Sequence, residues 1–377
     1  MTGRQRTPAS MRVRAAVKRA LQSVIGSAAA AGEDPRPLVL AAVSGGADSL
    51  ALAAALAAEA RDLRVRAGAV IVDHGLQAGS APVAERAAQQ ARGLGLDPVV
   101  VRRVTVESGG GATTGGIEAA ARDARYAALG AVARELGASY VLTAHTRSDQ
   151  AEQVLLALAR GSGTRSLAGI PVARELVAGV ALLRPLVAEG VGVTRADTAA
   201  SCAELGLEPW HDPHNQDRAF SRVRVRADVL PFLEAQLGPG FGTALARSAD
   251  LAREDADALD SMAEESLGRI LAEAIAGASE SPDPRGESTL VLPVRPLVRL
   301  PDALRHRVIR LVAQRYFDAS LTRGQTLAIA ALVARWRGQG PAFASGLRVE
   351  RLGDTLHFSA QSGHPRGTAP TRADTVK

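Results

Sequence analysis

Six consecutive residues, Ser44-Gly45-Gly46-Ala47-Asp48-Ser49, have the chemistry of a loop that holds phosphate. Glycines let backbone N–H groups turn inward into a concave anion nest. A helix opening near Asp48 would add unpaired N–H groups and the positive end of its dipole. Ser44 and Ser49 bring hydroxyl donors. Asp48 would repel a phosphate by itself, and makes sense if Mg2+ bridges the carboxylate to the phosphates. The plain alternative is a glycine turn with a capping Asp or Ser; the whole run at a strand–helix junction argues against it. Walker A needs a Gly-Lys pair and the dinucleotide fingerprint needs G-x-G-x-x-G, and neither occurs here.

Other reactive residues follow at short apolar runs or on helix faces. Asp73 and His74 close one run, and His145 closes another. Arg122 and Arg125 are three apart, so they share a helix face. They suit neutralisation of moving phosphate charge, or simply a solvated face. His145 is either a site residue or a satisfied core histidine. Asp149 and Glu152, at i and i+3 on an opening helical turn, fit an amine-bearing substrate or a metal. Acidic residues also favour helix starts through the dipole alone.

These elements have a common order. Apolar runs at 37–43, 65–72, 98–104 and 140–144 read as buried strands. Helical patterns at 11–30, 48–60, 81–94, 118–136 and 149–159 alternate with them. Such alternation implies right-handed crossovers and an α/β fold: a doubly wound, mostly parallel sheet covered on both faces. Ligands sit beyond the carboxyl ends of such strands, where Ser44, Asp73, His74 and His145 all fall. The Gly/Thr-rich stretch 107–116 reads as a flexible linker or a lid.

The 44–49 run resembles the SGGxDS loop of the PP-loop ATP pyrophosphatases, adenine nucleotide α-hydrolase-like enzymes that split ATP between its α and β phosphates. Further stretches resemble the lysidine synthetases among them: Val72-Asp73-His74-Gly75-Leu76, the helix from Glu118 through Arg122 and Arg125 to Tyr126, and Thr143-Ala144-His145-Thr146-Arg147-Ser148-Asp149-Gln150-Ala151-Glu152-Gln153. Pro209-Trp210-His211-Asp212-Pro213-His214-Asn215, followed by Arg222 and Arg226, resembles a tRNA-facing segment. The family pattern differs at Ser148, where a second aspartate is usual, at Gln153, where Thr is common, and at Val223, where Asn is frequent.

The resemblance implies ligation of free L-lysine to the wobble cytidine of the isoleucine tRNA with a CAU anticodon, through an adenylated base. ATP would bind at Ser44, Gly45, Gly46, Ala47, Asp48 and Ser49, with Asp73, His74 and Arg122 alongside. Asp48, Arg125, His145, Asp149 and Glu152 would serve catalysis, and Asp48 would hold Mg2+. Asp149 or Glu152 would take the lysine ammonium or its proton. A homodimer is compatible with this reading.

Composition agrees. A net charge of +6 suits a polyanionic partner, although solubility alone would explain it. Lys18 and Lys377 are the only lysines, so no lysine in the body of the chain serves as a phosphate or Schiff-base residue. No signal peptide or membrane-spanning run is expected, which places the protein in the cytoplasm. The single cysteine, Cys202, gives little support to a tRNA thiolase, whose chemistry needs more thiols. A non-catalytic RNA-binding protein is the remaining rival.

The expected domains are a catalytic 1–235, a smaller, mainly helical tRNA-binding 236–360 that ends in a hairpin at 349–358, and a disordered tail at 361–377. Helices are expected at 241–276, 304–317 and 326–336, with a polar loop at 277–288 and a frayed start at 1–12. Arg295, Arg299, Arg305, Arg307, Arg310 and Arg315 form a basic stretch suited to tRNA phosphates, or a solvated helix face.

Overall fold

The structure is a computed structural model that describes residues 8–31, 36–75, 79–105, 114–190, 192–277 and 289–361. The chain forms two compact units, Met1–Arg253 and Glu254–Lys377. Most of the expected stretches at 107–116 and 277–288, nearly all of the tail at 361–377, residues 1–7 and Leu76 lie outside the described residues.

The first unit runs α1 (Ala9–Ala31), β1 (Leu38–Ala42), α2 (Ala47–Leu63), β2 (Arg66–Asp73), α3 (Ser80–Gly93), β3 (Val99–Arg103), α4 (Thr114–Glu135) and β4 (Tyr140–Leu142). There follow α5 (Arg147–Ala159), α6 (Thr164–Leu167), β5 (Ala173–Val177), β6 (Val180–Leu183), α7 (Arg195–Glu204), α8 (Ser221–Arg224), a π-helical turn (Val225–Val229) and α9 (Leu230–Leu237). The long α10 (Phe241–Gly277) contains the division between the units. Residues 9–12, expected to fray, belong to α1, where Ala9 N–H donates to Glu204 at 2.9 Å.

The sheet order is β3-β2-β1-β4-β6-β5, parallel except for the edge strand β5. Alternate residues of each central strand feed opposite layers. Val39 and Ala41 of β1 pack with α1, α2 and α3, while Leu38 and Leu40 pack with Leu129, Val132 and Ala133 of α4. The chain first winds from β1 toward β3 and then returns to lay β4 on the other side of β1. That reversal creates a crevice at the carboxyl ends of β1 and β4, the place where such sheets bind ligands.

The β5–β6 pair was not expected from the sequence. Its short strands join at Ala178-Gly179, with Gly179 at φ +78°. Exposed charged residues on β5 hide the apolar pattern that marks a buried strand.

In the second unit, β7 (Thr289–Pro293) and α11 (Val294–Arg299) precede α12 (Asp302–Phe317) and α13 (Arg323–Ala334). β8 (Ala342–Ala344), β9 (Leu347–Leu352) and β10 (Thr355–Ala360) follow. The β9–β10 hairpin turns at Gly353-Asp354 as expected, but β7 and β8 extend it to an antiparallel sheet of order β7-β10-β9-β8. Leu267, Val308, Val312, Ile329, Val333 and Phe358 lie in its core.

Arg305, read from sequence with the tRNA-facing arginines, is 7% exposed. It donates to the carbonyls of Leu297 at 3.0 Å and Leu300 at 2.6 Å, closing the end of α11. Arg307 pairs with Asp260 at 2.7 Å and Arg315 with Glu264 at 2.6 Å. Arg295 and Arg299 are exposed and make no ion pair among the described residues.

Candidate active site

The 44–49 loop leaves β1 and enters α2 at Gly46, which caps the helix without a side chain. Gly45 sits at φ +84°, a left-handed conformation that favours glycine, and a Cβ there would lie 3.4 Å from Ala87. Its carbonyl accepts the Trp210 N–H at 2.9 Å, so the segment before Pro213 fastens the loop. Ser49 was expected to offer a donor to ligand. Its hydroxyl instead donates to Gly46 O at 2.9 Å and accepts the Ser44 N–H at 3.1 Å. It shapes the loop, while Ser44 stays exposed.

Asp48 stands on the first turn of α2 and accepts a hydrogen bond from Thr198 Oγ1. Arg195 Nε lies 3.7 Å from its Oδ2. Burial raises the Asp48 pKa above the usual carboxylate range, with Thr198 and Arg195 opposing that rise.

β4 delivers the second half of the site. His145 Nδ1 lies 3.3 Å from Thr143 Oγ1. Burial, reinforced by Arg184, Arg222 and Arg122 and opposed by Asp149, lowers the imidazole pKa to about 3. His145 is therefore neutral at neutral pH. Thr146 caps α5, and Asp149 Oδ2 accepts both its N–H at 2.7 Å and its hydroxyl at 2.9 Å. This reciprocal box fixes the carboxylate.

The other Asp149 oxygen accepts from Arg195 at 2.8 Å and Arg222 at 3.2 Å. Glu152, 1% exposed, accepts from the same two arginines at 2.9 Å each. Burial opposes the Asp149 charge, but both guanidiniums hold its pKa below the usual range.

Arg195 therefore joins the two halves. The same side chain contacts Asp48 from the phosphate loop and the Asp149/Glu152 pair from α5. It stands on the first turn of α7, where Thr194 and Asp197 form a reciprocal cap. Thr198, one turn on, faces Asp48 from the same helix. Sequence reasoning missed both residues. The Thr194-x-x-Asp197 spacing was the available signal, since it marks a helix start. Arg222, placed by sequence in a tRNA-facing segment, lies on the carboxylate pair instead. Ser148 accepts the Arg195 N–H at 3.2 Å and so supports the start of α7.

The remaining candidates stand on or just after β2 and on α4. Asp73 is buried and accepts the Gly75 N–H at 3.0 Å. Burial opposes its charge, but Ser80, Gly75, Arg103 and His74 lower its pKa. It orders the turn after β2, where His74 follows it. Arg122 and Arg125 are exposed on α4, and the Arg122 guanidinium carbon lies 5.4 Å from the Tyr126 ring centroid.

A half-buried carboxylate beside bare helix N–H groups, with phosphates supplying further oxygens, suits Mg2+, which typically takes one or two carboxylates. Among the described residues no cluster of three or more His, Cys, Asp or Glu could hold a metal by itself. Cys202 is buried against α2, its thiol donating to Ala47 O at 3.3 Å. Burial, with Asp48 nearby, pushes that thiol up to about 11.

The family model for the PP-loop domain matches residues 14–233. A tRNA(Ile)-lysidine synthase from Leifsonia xyli is 52% identical over 324 residues, covering 86% of this chain and 90% of that protein. The chain belongs to the tRNA(Ile)-lysidine synthase family. A second tRNA(Ile)-lysidine synthase, from Salinispora tropica, is 49% identical over 86% of this chain and 90% of its own length. Among solved structures, a U34-tRNA thiolase from Methanococcus maripaludis aligns with a TM-score of 0.47 at 17% identity, over 58% of this chain and 73% of its own. The matched span contains both the 44–49 loop, which follows β1, and Asp149 and Glu152, which stand on α5 after the neighbouring strand β4.

Proposed function

We propose that the protein uses ATP to ligate free L-lysine to C2 of the wobble cytidine in the CAU-anticodon isoleucine tRNA, changing its codon reading from AUG to AUA. The observation that carries this reading is the 52% identity to a lysidine synthase across most of both chains. The joined site supports it: a phosphate loop is tied through Arg195 to a buried pair of carboxylates.

ATP places its phosphates on the N–H groups of residues 44–49 and the start of α2. Asp73, His74 and Arg122 border the nucleotide. Asp48 would hold Mg2+, which would offset phosphate charge. The C2 oxygen of cytosine attacks the α-phosphorus, the α–β P–O bond breaks, and pyrophosphate leaves. An amine of lysine then attacks C2, the C–O bond breaks, and AMP leaves. Adenylation is needed because an amide-like oxygen is a poor leaving group.

Arg122 and Arg125 stabilise charge moving onto pyrophosphate. Neutral His145 offers hydrogen bonding without adding a positive charge. With Asp48 given to the metal, Asp149 and Glu152 face Arg195 and Arg222, two carboxylates against two guanidiniums. Such a matched cluster suits a zwitterion: the carboxylates can receive the lysine ammonium and the guanidiniums its carboxylate. Asp149 or Glu152 accepts the proton released on attack.

The thiolase alternative is disfavoured by Cys202, a buried thiol protonated at neutral pH. The cytoplasm is the expected compartment; no helix among the described residues is long and apolar enough to cross a membrane. Light scattering of the purified protein reads whether it is a homodimer.

The deciding experiment incubates protein, ATP, Mg2+, lysine and the tRNA, then analyses the cytidine by mass spectrometry and measures pyrophosphate. A lysine-mass adduct on the wobble base is expected. Pyrophosphate release that needs sulfide instead of lysine would favour a thiolase, and no release would favour a binding protein.

A further inference from the structure

A basic cluster lies at the carboxyl edge of the sheet on the β6–β5 side, across β4 from the phosphate loop. The proposed chemistry uses neither Arg174 nor Arg184. Arg174 lies on the edge strand β5, and Arg184 directly follows β6. The Arg174 guanidinium carbon lies 4.7 Å from the Tyr126 ring centroid, and that of Arg122 lies 5.4 Å from it. Arg184, 2% exposed, adjoins the Tyr126 hydroxyl and donates to Pro171 O at 2.7 Å. Its Nε is buried without a hydrogen-bond partner.

Among the described residues none of these three arginines pairs with a carboxylate. Like charges gathered this closely repel. Burying a guanidinium without a counter-charge is costly, and an aromatic face attracts cations without neutralising them. An external anion would relieve both effects. Planar guanidiniums grip phosphate oxygens well. Arg174 is exposed and can touch such a ligand, while Arg184 supplies field from below. Arg184 and Arg122 also act electrostatically on His145, which places the cluster beside the reacting half of the site.

We propose that Arg174, held over Tyr126 and backed by Arg184, binds a phosphodiester of the tRNA backbone next to the target cytidine, while Arg122 on the same ring stays with the nucleotide. This rests on the reading of the protein as a tRNA-modifying enzyme. The phosphates of ATP already have a loop on the far side of β4. An edge strand is open to a polymer running past the sheet.

The test is Arg174→Gln in the full-length protein, with Arg174→Lys as a charge-preserving control. Binding of the CAU isoleucine tRNA transcript is measured across a salt series, and ATP binding is measured in parallel. Arg174→Gln is expected to weaken tRNA binding about tenfold at moderate salt and to make the slope of log K against log salt shallower by about 1. Arg174→Lys recovers the slope, and ATP affinity stays unchanged for both. Unchanged tRNA affinity and slope would overturn the inference. So would an equal loss of ATP affinity, which would assign the cluster to the nucleotide. A wild-type protein that binds no tRNA overturns the functional reading and the inference together. A wild-type protein that binds tRNA no better than Arg174→Gln overturns the inference alone.

Discussion

Asp149 has two jobs whose consequences separate in experiment. One oxygen closes the cap of α5 and the other meets two guanidiniums. Asp149→Asn should lower lysidine formation about 100-fold or more if the carboxylate works as a base. Loss of the cap should remove about 1 kcal/mol of stability. A thermal melt alongside the rate assay reads both, and an unchanged rate would remove Asp149 from the chemistry. His145 offers a pH prediction. Its imidazole pKa falls from the ordinary 6.5 to about 3, so the folded state favours the neutral ring. That contribution is fully present above pH 6.5 and is lost as pH falls toward 3. Replacing His145 with Phe should flatten the fall in urea midpoint over that window. At this scale the carboxylates and the histidine were legible from their types and spacing. Arg195 and Thr198 were not, because their meaning depends on contacts across 46 and 150 residues of sequence.

Short elements decide whether those side chains meet. The first turn of α7 carries Arg195 and Thr198 into contact with Asp48, so loss of Thr198 should reach ATP and loss of Arg195 both substrates. Thr198→Val removes one hydrogen bond to Asp48 and should weaken ATP binding by about 1 kcal/mol, roughly fivefold. Arg195→Gln leaves Asp48, Asp149 and Glu152 less balanced and should raise the KM for both ATP and lysine. An effect confined to one substrate would show that α7 does not couple them. Gly45→Ala asks a different element for a conformation at φ +84°, and should cost about 1–2 kcal/mol of loop stability, read as lost ATP affinity. The parallel core announced itself because both faces of β1 are apolar. The β5–β6 hairpin did not, because an edge strand facing solvent carries charge where a core strand carries Leu or Val.

At the scale of the whole molecule, positive charge is not one property. Arg305, Arg307 and Arg315 are engaged within the second unit, while Arg295 and Arg299 face solvent. Arg305→Ala should destabilise the protein by about 2–4 kcal/mol through its abandoned carbonyls. The double replacement of Arg295 and Arg299 by Gln should leave the melt unchanged and reduce the salt slope of tRNA binding by about 2. Both outcomes are read from a melt and a salt titration. A linear string of arginines cannot distinguish these roles, since burial and partners are set by helices meeting in space.

The seclusion of Cys202 also makes the protein a clean substrate for labelling. Its one thiol is buried and stays protonated well above neutral pH, so a maleimide finds little to attack. A cysteine introduced at an exposed position such as Ser261 would become the sole reactive handle, without first deleting a native one. A fluorophore attached there, paired with a dye on the tRNA, would report docking in real time while the reaction centre stays chemically untouched.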